Sequence, residues 1–336
     1  MNKVERVVAV LRGCRPDHPP VSFWHHFGPG EVAGRAAVQA HLRHLERFDL
    51  DFLKIMNDNR YPREGDGPAV TRVADLRRLR TYDGTETTFG SQLEVIRGIV
   101  EQTRGHVLSC TTVFNAWTTL RHLVAPAESS HGPPKMQGFD ERDDRITQLL
   151  REDRRAVAEA LAVIGQSLSH FARECIRAGA DGIFLSVRDD WVDRPENGPD
   201  TYEEMVRATD IEILRGASGG TFNVLHVCGR AVDFAAFARY PVHVLNWADR
   251  AAGPSIAYAR DRVKPALSGG VDNLKELPCG TPEQVAAQVR DAVRQARHRP
   301  ILITPGCTYD PALVPEANLR AMVRAAREIA AGAGPP

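Results

Sequence analysis

The sequence predicts an α/β protein, a (β/α)8 barrel of the TIM type. It is read as a single domain over residues 1–336, with an irregular N-terminal third. Three observations predict it. Eight short apolar runs recur along the chain, helical patterns alternate with the later ones, and the residues that close the runs are unusually polar. In such barrels the carboxyl ends of the strands build the active site, so polar residues gathered there are candidates for chemistry.

The elements follow in order. Residues 3–13 carry Val4, Val7, Val8, Val10 and Leu11 at helical spacing, and Pro16 and Pro19-Pro20 end that helix. Val21-Ser22-Phe23-Trp24 reads as the first strand and opens into His25-His26-Phe27-Gly28. A helix over 31–47 leads to the second run, Asp51 to Met56, closed by Asn57-Asp58-Asn59-Arg60. A short helical piece near 73–80 and a helix over 89–104 precede the third run, His106 to Thr111. Helical pieces over 113–150 surround Ser129-Ser130-His131-Gly132-Pro133-Pro134, a loop long enough to be a lid. A long helix spans 151–178, with Val157, Leu161, Ile164, Leu168 and Phe171 three or four apart, and Gly179 ends it. Strands are then expected over 182–187, 223–228, 242–247, 266–272 and 301–304. Helices at 201–215, 231–239, 254–261, 282–296 and 316–331 alternate with them. Thr281-Pro282-Glu283 marks one helix start plainly. The Ala/Gly/Pro tail at 330–336 is expected to fray.

Bulk composition narrows the function. Lys and Arg number 43, Asp and Glu 43, so no net charge favours nucleic acid or an anionic membrane as partner. The alternating charges of 141–145 and 151–155 read as a solvated helix face. No apolar run approaches the roughly 20 residues of a membrane span. With no apolar leader, the six cysteines are not expected to form a disulfide framework. A cytoplasmic monomer or homodimer is expected.

Two of those cysteines and one histidine form a constellation. His226 and Cys228 lie two apart at the end of an apolar run, so on a strand both point to one side. Cys307 ends another run, Ile301 to Gly306. A single cysteine on an apolar strand is usually a small buried hydrophobe, and a single histidine a satisfied core group. Three at the ends of two strands can meet at one point. One imidazole and two thiolates suit Zn²⁺ and leave its fourth position for a substrate.

His226-Val227-Cys228-Gly229, Gly269-Gly270-Val271-Asp272 and Pro305-Gly306-Cys307 resemble the uroporphyrinogen decarboxylase superfamily, as do Ala178 to Ile183 and Phe48 to Lys54. Within it they are similar to the zinc-dependent methylcobalamin:coenzyme M methyltransferase branch. The resemblance covers nearly the whole chain. It implies Zn²⁺ on His226, Cys228 and Cys307, a small-molecule thiol bound to that zinc as thiolate, and methyl transfer from a methyl-corrinoid (methylcobalamin) carried by a separate protein. Other zinc-dependent C–S bond formation or cleavage is an alternative, as is metal-free decarboxylation. The decarboxylase's Arg-rich motif after the first strand is missing, since Trp24 to Gly30 contains no arginine. No Gly-x-Gly-x-x-Gly follows a strand either, so a nucleotide cofactor is not expected.

Supporting residues follow from position at the strand ends. Asp272 is a candidate to orient His226 or touch substrate, against capping a loop. Asp58 and Tyr309 are further catalytic candidates. Trp24, His25, His26, Asn59, Arg230 and Asn246 are candidates for substrate binding, each against a packing or turn role.

Overall fold

In the computed structural model, which describes residues 1–65, 67–125, 140–229 and 233–329, seven short strands pair side by side, all parallel and in chain order. They are β1 Phe52–Ile55, β2 Leu108–Phe114, β3 Gly182–Val187, β4 Val224–Val227, β5 Val244–Trp247, β6 Ala266–Val271 and β7 Ile301–Pro305. The expected eighth strand, Val21 to Trp24, makes a single bridge, from Val21 to Ile303. It nevertheless closes the barrel. Ser22 N–H donates to Ile303 O, Ile303 N–H to Pro20 O and Asp51 N–H to Val21 O. Pro20 has no N–H to extend the ladder. Side chains take its place, with Val21 N–H donating to Asp51 Oδ2 at 2.8 Å and Ser22 Oγ donating to Phe52 O at 2.7 Å.

Helices cover the outside: α1 Lys3–Leu11, α2 Gly34–Phe48, α3 Val73–Leu76, α4 Thr87–Thr103, α5 Ala116–Leu123, α6 Glu141–Arg177, α7 Arg207–Gly216, α8 Phe234–Phe237, α9 Ile256–Ala259, α10 Glu276–Cys279, α11 Pro282–Ala296 and α12 Glu316–Arg327. The long helix α6 begins ten residues before its expected start, because it is two helices joined at Asp153. Asp153 has φ −159° and ψ 89°, and its Oδ1 accepts Ala156 N–H at 2.9 Å, as an N-cap does. Asp143, expected on the solvated face, is buried and takes two hydrogen bonds from Arg121, at 2.7 and 2.9 Å. The loop at 129–134 and the tail at 330–336 lie outside the described residues. Among the described residues no helix is long and apolar enough to cross a membrane.

Strand alternation sorts the side chains into two cores. Leu53, Ile55, Leu225 and Val227 face the helical layer, whereas Phe52, Met56, Cys110, Phe184 and Val224 fill the barrel lumen. Val7 and Val10 of α1 close the amino-terminal end of that lumen. Arg6 fastens α1 there by bonding both Asp17 and Asp51. Gly182, opening β3, must be glycine: a Cβ would lie 2.1 Å from Phe222 O.

Two buried histidines of α2 tie that helix to the barrel and make stability pH-dependent. His41 donates from Nδ1 to Ala37 O at 2.7 Å and accepts Met56 N–H at Nε2 at 2.8 Å, so only its neutral form satisfies both bonds. His44 Nε2 donates to Phe23 O at 2.9 Å. Burial lowers their pKa values, to about 4 for His41 and about 3 for His44. The unfolded chain takes up these protons near pH 6.5 and the folded one does not. Stability is therefore full above pH 6.5 and falls as pH drops below it. Each histidine costs about 2 kcal/mol at pH 5. Urea unfolding at pH 7.5 and pH 5.0 should show that loss, and His41→Gln should reduce the slope by about one proton.

Candidate metal centre at the barrel mouth

β4 and β7 carry the site. His226 shares the lumen-facing parity of Val224, and Cys228 lies one pleat further on. Cys228 N–H still donates to Val187 O at 2.9 Å, so its backbone prolongs the ladder. Gly229 then turns with φ +119°, and a Cβ there would lie 2.8 Å from the Asp190 carboxylate. Across the mouth, β7 ends in Pro305, and Gly306 N–H donates to Val271 O at 3.1 Å, which holds Cys307 above the lumen. One ligand atom each from His226, Cys228 and Cys307 lies within 4.8 Å of the others, and Cys307 Sγ is 3.4 Å from His226 Nε2. Bond lengths of about 2.3 Å to sulfur and about 2.0 Å to nitrogen in a tetrahedral zinc site require an S···N edge of roughly 3.5 Å. The donor set and spacing fit that ion.

The imidazole is oriented for such a role. Asn246 of β5 is directly opposite His226 in register, and its Oδ1 accepts His226 Nδ1–H at 2.6 Å. Its Nδ2 donates to Ser268 O at 3.2 Å, Thr304 Oγ1 at 3.1 Å and Pro305 O at 3.3 Å. Those acceptors fix the amide's orientation, and the amide fixes the histidine tautomer. Nε2 is left with its lone pair aimed at Cys307. The sulfurs are coupled. The S–H of Cys228 donates to Cys307, which holds Cys307 well toward thiolate and Cys228 toward thiol; the Lys54 charge reinforces the first effect.

Around the cluster, the His226 ring stacks on Phe184 with centroids 5.3 Å apart. Arg188, at the end of β3, pairs with Asp190 through Nη2–Oδ2 at 3.0 Å and through a second bond from Nε to Oδ1. Its guanidinium and that of Arg121 both pack on Trp191, at 4.1 and 3.6 Å from the ring centroid. Asn57, Asp189 and Asn273, at the ends of β1, β3 and β6, each bury an Oδ1 with no partner among the described residues. Such atoms mark where a polar ligand or water is expected to bind.

A family profile described as uroporphyrinogen decarboxylase (URO-D) matches residues 35–329. The chain belongs to that family. A curated relative, the uroporphyrinogen decarboxylase of Synechococcus sp. (strain CC9605), is 23% identical over 322 residues, covering 94% of this chain and 84% of its own. In three dimensions the uroporphyrinogen decarboxylase-like barrel is similar to a methyltransferase from Methanosarcina mazei. The TM-score is 0.74 at 17% identity, over 98% of this chain and 99% of the other. That likeness is one of fold.

The other candidate residues separate into groups. His26 and Asp58 meet, Nδ1 to Oδ1 at 2.6 Å, on the rim beside the closing segment. Trp24 lies in the lumen, edge-on to Phe184 at 5.2 Å. Asn246 orients His226 directly. Asn59 is committed to Val32 O and Gln92 Oε1. His25 packs on Phe27, His44 and Tyr309, and burial lowers its pKa. Tyr309 belongs to the outer core with Phe23, because a residue two beyond Cys307 lies past the strand and alternation no longer aims it inward. The Asp272 carboxylate accepts the N–H groups of Leu274 and Lys275 at 2.8 and 3.1 Å; it caps the loop, and Asn246 holds the histidine. Arg230 lies outside the described residues.

Sequence reasoning gave Lys54 no role. Its parity with Phe52 and Met56 turns it into the lumen, where it is 5% exposed. A lysine inside a strand buried on both faces was the available signal.

Proposed function

We propose that this barrel is a zinc-dependent methyltransferase acting on a small-molecule thiol, with a methyl-corrinoid on a partner protein as donor. One observation carries the reading: His226, Cys228 and Cys307 converge at the mouth, with the imidazole locked in the ligating tautomer by Asn246. Zinc held there makes a coordinated thiol a thiolate near neutral pH, and two cysteine thiolates offset its charge enough to keep that thiolate nucleophilic. The chain's own residues do the rest. Asn246 keeps Nε2 free, Phe184 and Trp24 keep water from the lumen side, and the His26–Asp58 pair is suited to receive the thiol's proton. The Methanosarcina mazei methyltransferase supports the reading at the level of the scaffold.

Decarboxylation of a porphyrinogen is the second reading, favoured by the Synechococcus relative. It requires cations free to grip several carboxylates. Arg188 is paired with Asp190 and Arg121 with Asp143, and the segment from Trp24 to Gly30 contains no arginine.

The test is metal analysis of the purified protein together with methyl transfer from methylcobalamin to a panel of thiols. About one zinc per chain and thiol-dependent demethylation are expected. A metal-free protein that turns over uroporphyrinogen would replace this reading with the second.

A further inference from the structure

Lys54 is a buried cation in an apolar place. Its Nζ sits 4.0 Å from the Phe184 ring centroid and 5.0 Å from that of Trp24. The Phe184 ring in turn stacks on the His226 imidazole. No hydrogen bond or ion pair joins Nζ to any described residue. Burying an ammonium costs several kcal/mol. Contacts with aromatic faces offset part of that cost but supply no full counter-charge. A methionine would fill the same volume without that cost. A compensating negative charge should therefore be near, and the Phe184 ring that Nζ faces is itself stacked on His226, a member of the His226–Cys228–Cys307 cluster. Burial lowers the lysine's pKa only to about 8, so it is mainly charged at neutral pH. Cys110 is not the counter-charge, because burial raises its pKa to about 12.

The charge count at the cluster points the same way. Two cysteine thiolates cancel a divalent ion, and a neutral histidine adds nothing. An anionic fourth ligand then leaves the site one negative charge in excess. Arg188, the other cation beside Cys228, is committed to Asp190. Asp58 is committed to His26. Lys54 is thus the cation facing the cluster that has no carboxylate partner among the described residues. We propose that Lys54 is the counter-cation for the anionic fourth ligand, making the site select a thiolate over a neutral donor. This rests on the zinc reading above, and it assigns Lys54 a positioning and selectivity role rather than a catalytic one.

The test uses the full-length protein with cobalt(II) in place of zinc, since cobalt's visible spectrum reports its coordination. Wild type, Lys54→Met and Lys54→Arg are each titrated with 2-mercaptoethanol, which binds as thiolate, and with imidazole, which binds neutral. Lys54→Met is expected to weaken thiolate binding by about tenfold or more, a charge–charge effect across several ångströms of protein. Imidazole binding should be unchanged, and Lys54→Arg should recover thiolate binding to within about threefold of wild type. Lys54→Met should melt no lower than wild type, because it removes a buried charge from an apolar lumen. If Lys54→Met weakens both ligands equally, or neither, the proposal is overturned. A wild type that takes up no cobalt removes the metal reading, and this inference with it. Uptake with unaltered selectivity removes the inference alone.

Discussion

Replacing Cys307 by alanine should take the purified protein from about one zinc per chain to nearly none. The loss follows from the ligand count. The described cluster offers three donors, and a site holding zinc through one histidine and one cysteine is not a stable protein site. Zinc–cysteine sites gain about 10–16 kcal/mol on metal binding, so losing one of three ligands should lower affinity by about 10³-fold or more. Thiol methylation should fall with it. The fold should survive, because Cys307 makes no backbone hydrogen bond through its sulfur and deletion of one buried heavy atom costs about 1 kcal/mol. Unchanged far-ultraviolet circular dichroism together with lost zinc, measured by metal analysis after dialysis, is the expected pair of results. Full zinc retention in Cys307→Ala would mean that the metal, if bound, is held elsewhere.

The fold and the three donor residues were legible because they rest on local rules. β3 coincides with its apolar run, and α11 begins at the Thr281-Pro282 signal and ends at Ala296 as its periodicity requires. Period-two alternation brings His226 and Cys228 to one side from two numbers alone. Illegible features depend on which neighbour is present. The closing segment reads as a strand, yet Asp51 and Ser22 side chains stand in for its ladder. Asp143 lies in a run of charges that looks solvated, and only the return of α5 against α6 buries it on Arg121. Tyr309 is adjacent to a ligand in sequence but turns into the outer core. Asn246 and Asp272 were equally placed at strand ends. Register decided between them, since β5 sets Asn246 directly beside His226 while the loop after β6 consumes the aspartate.

That register makes Asn246 the position where a second substitution should have a large effect without touching a ligand. Asn246→Leu keeps the volume but leaves His226 Nδ1–H and the three acceptors, Ser268 O, Thr304 Oγ1 and Pro305 O, without their partner. Asn246 is fully buried, so the groups left unmet pay their desolvation with nothing in return, although Thr304 Oγ1 keeps its 2.8 Å bond with Ser268 Oγ. A stability loss of about 2–4 kcal/mol is expected, read from urea unfolding. The imidazole also becomes free to rotate or change tautomer, and removal of such a supporting bond typically lowers metal affinity by about 10–100-fold. Asn246→Asp separates the two effects. A carboxylate still accepts from Nδ1–H and keeps the histidine oriented, but its second oxygen cannot donate to Ser268 O or Pro305 O. This variant should therefore be destabilised as Asn246→Leu is, while binding zinc nearly as well as wild type in a chelator competition. If both variants lose metal affinity in proportion to their loss of stability, Asn246 acts by packing alone and the tautomer argument fails.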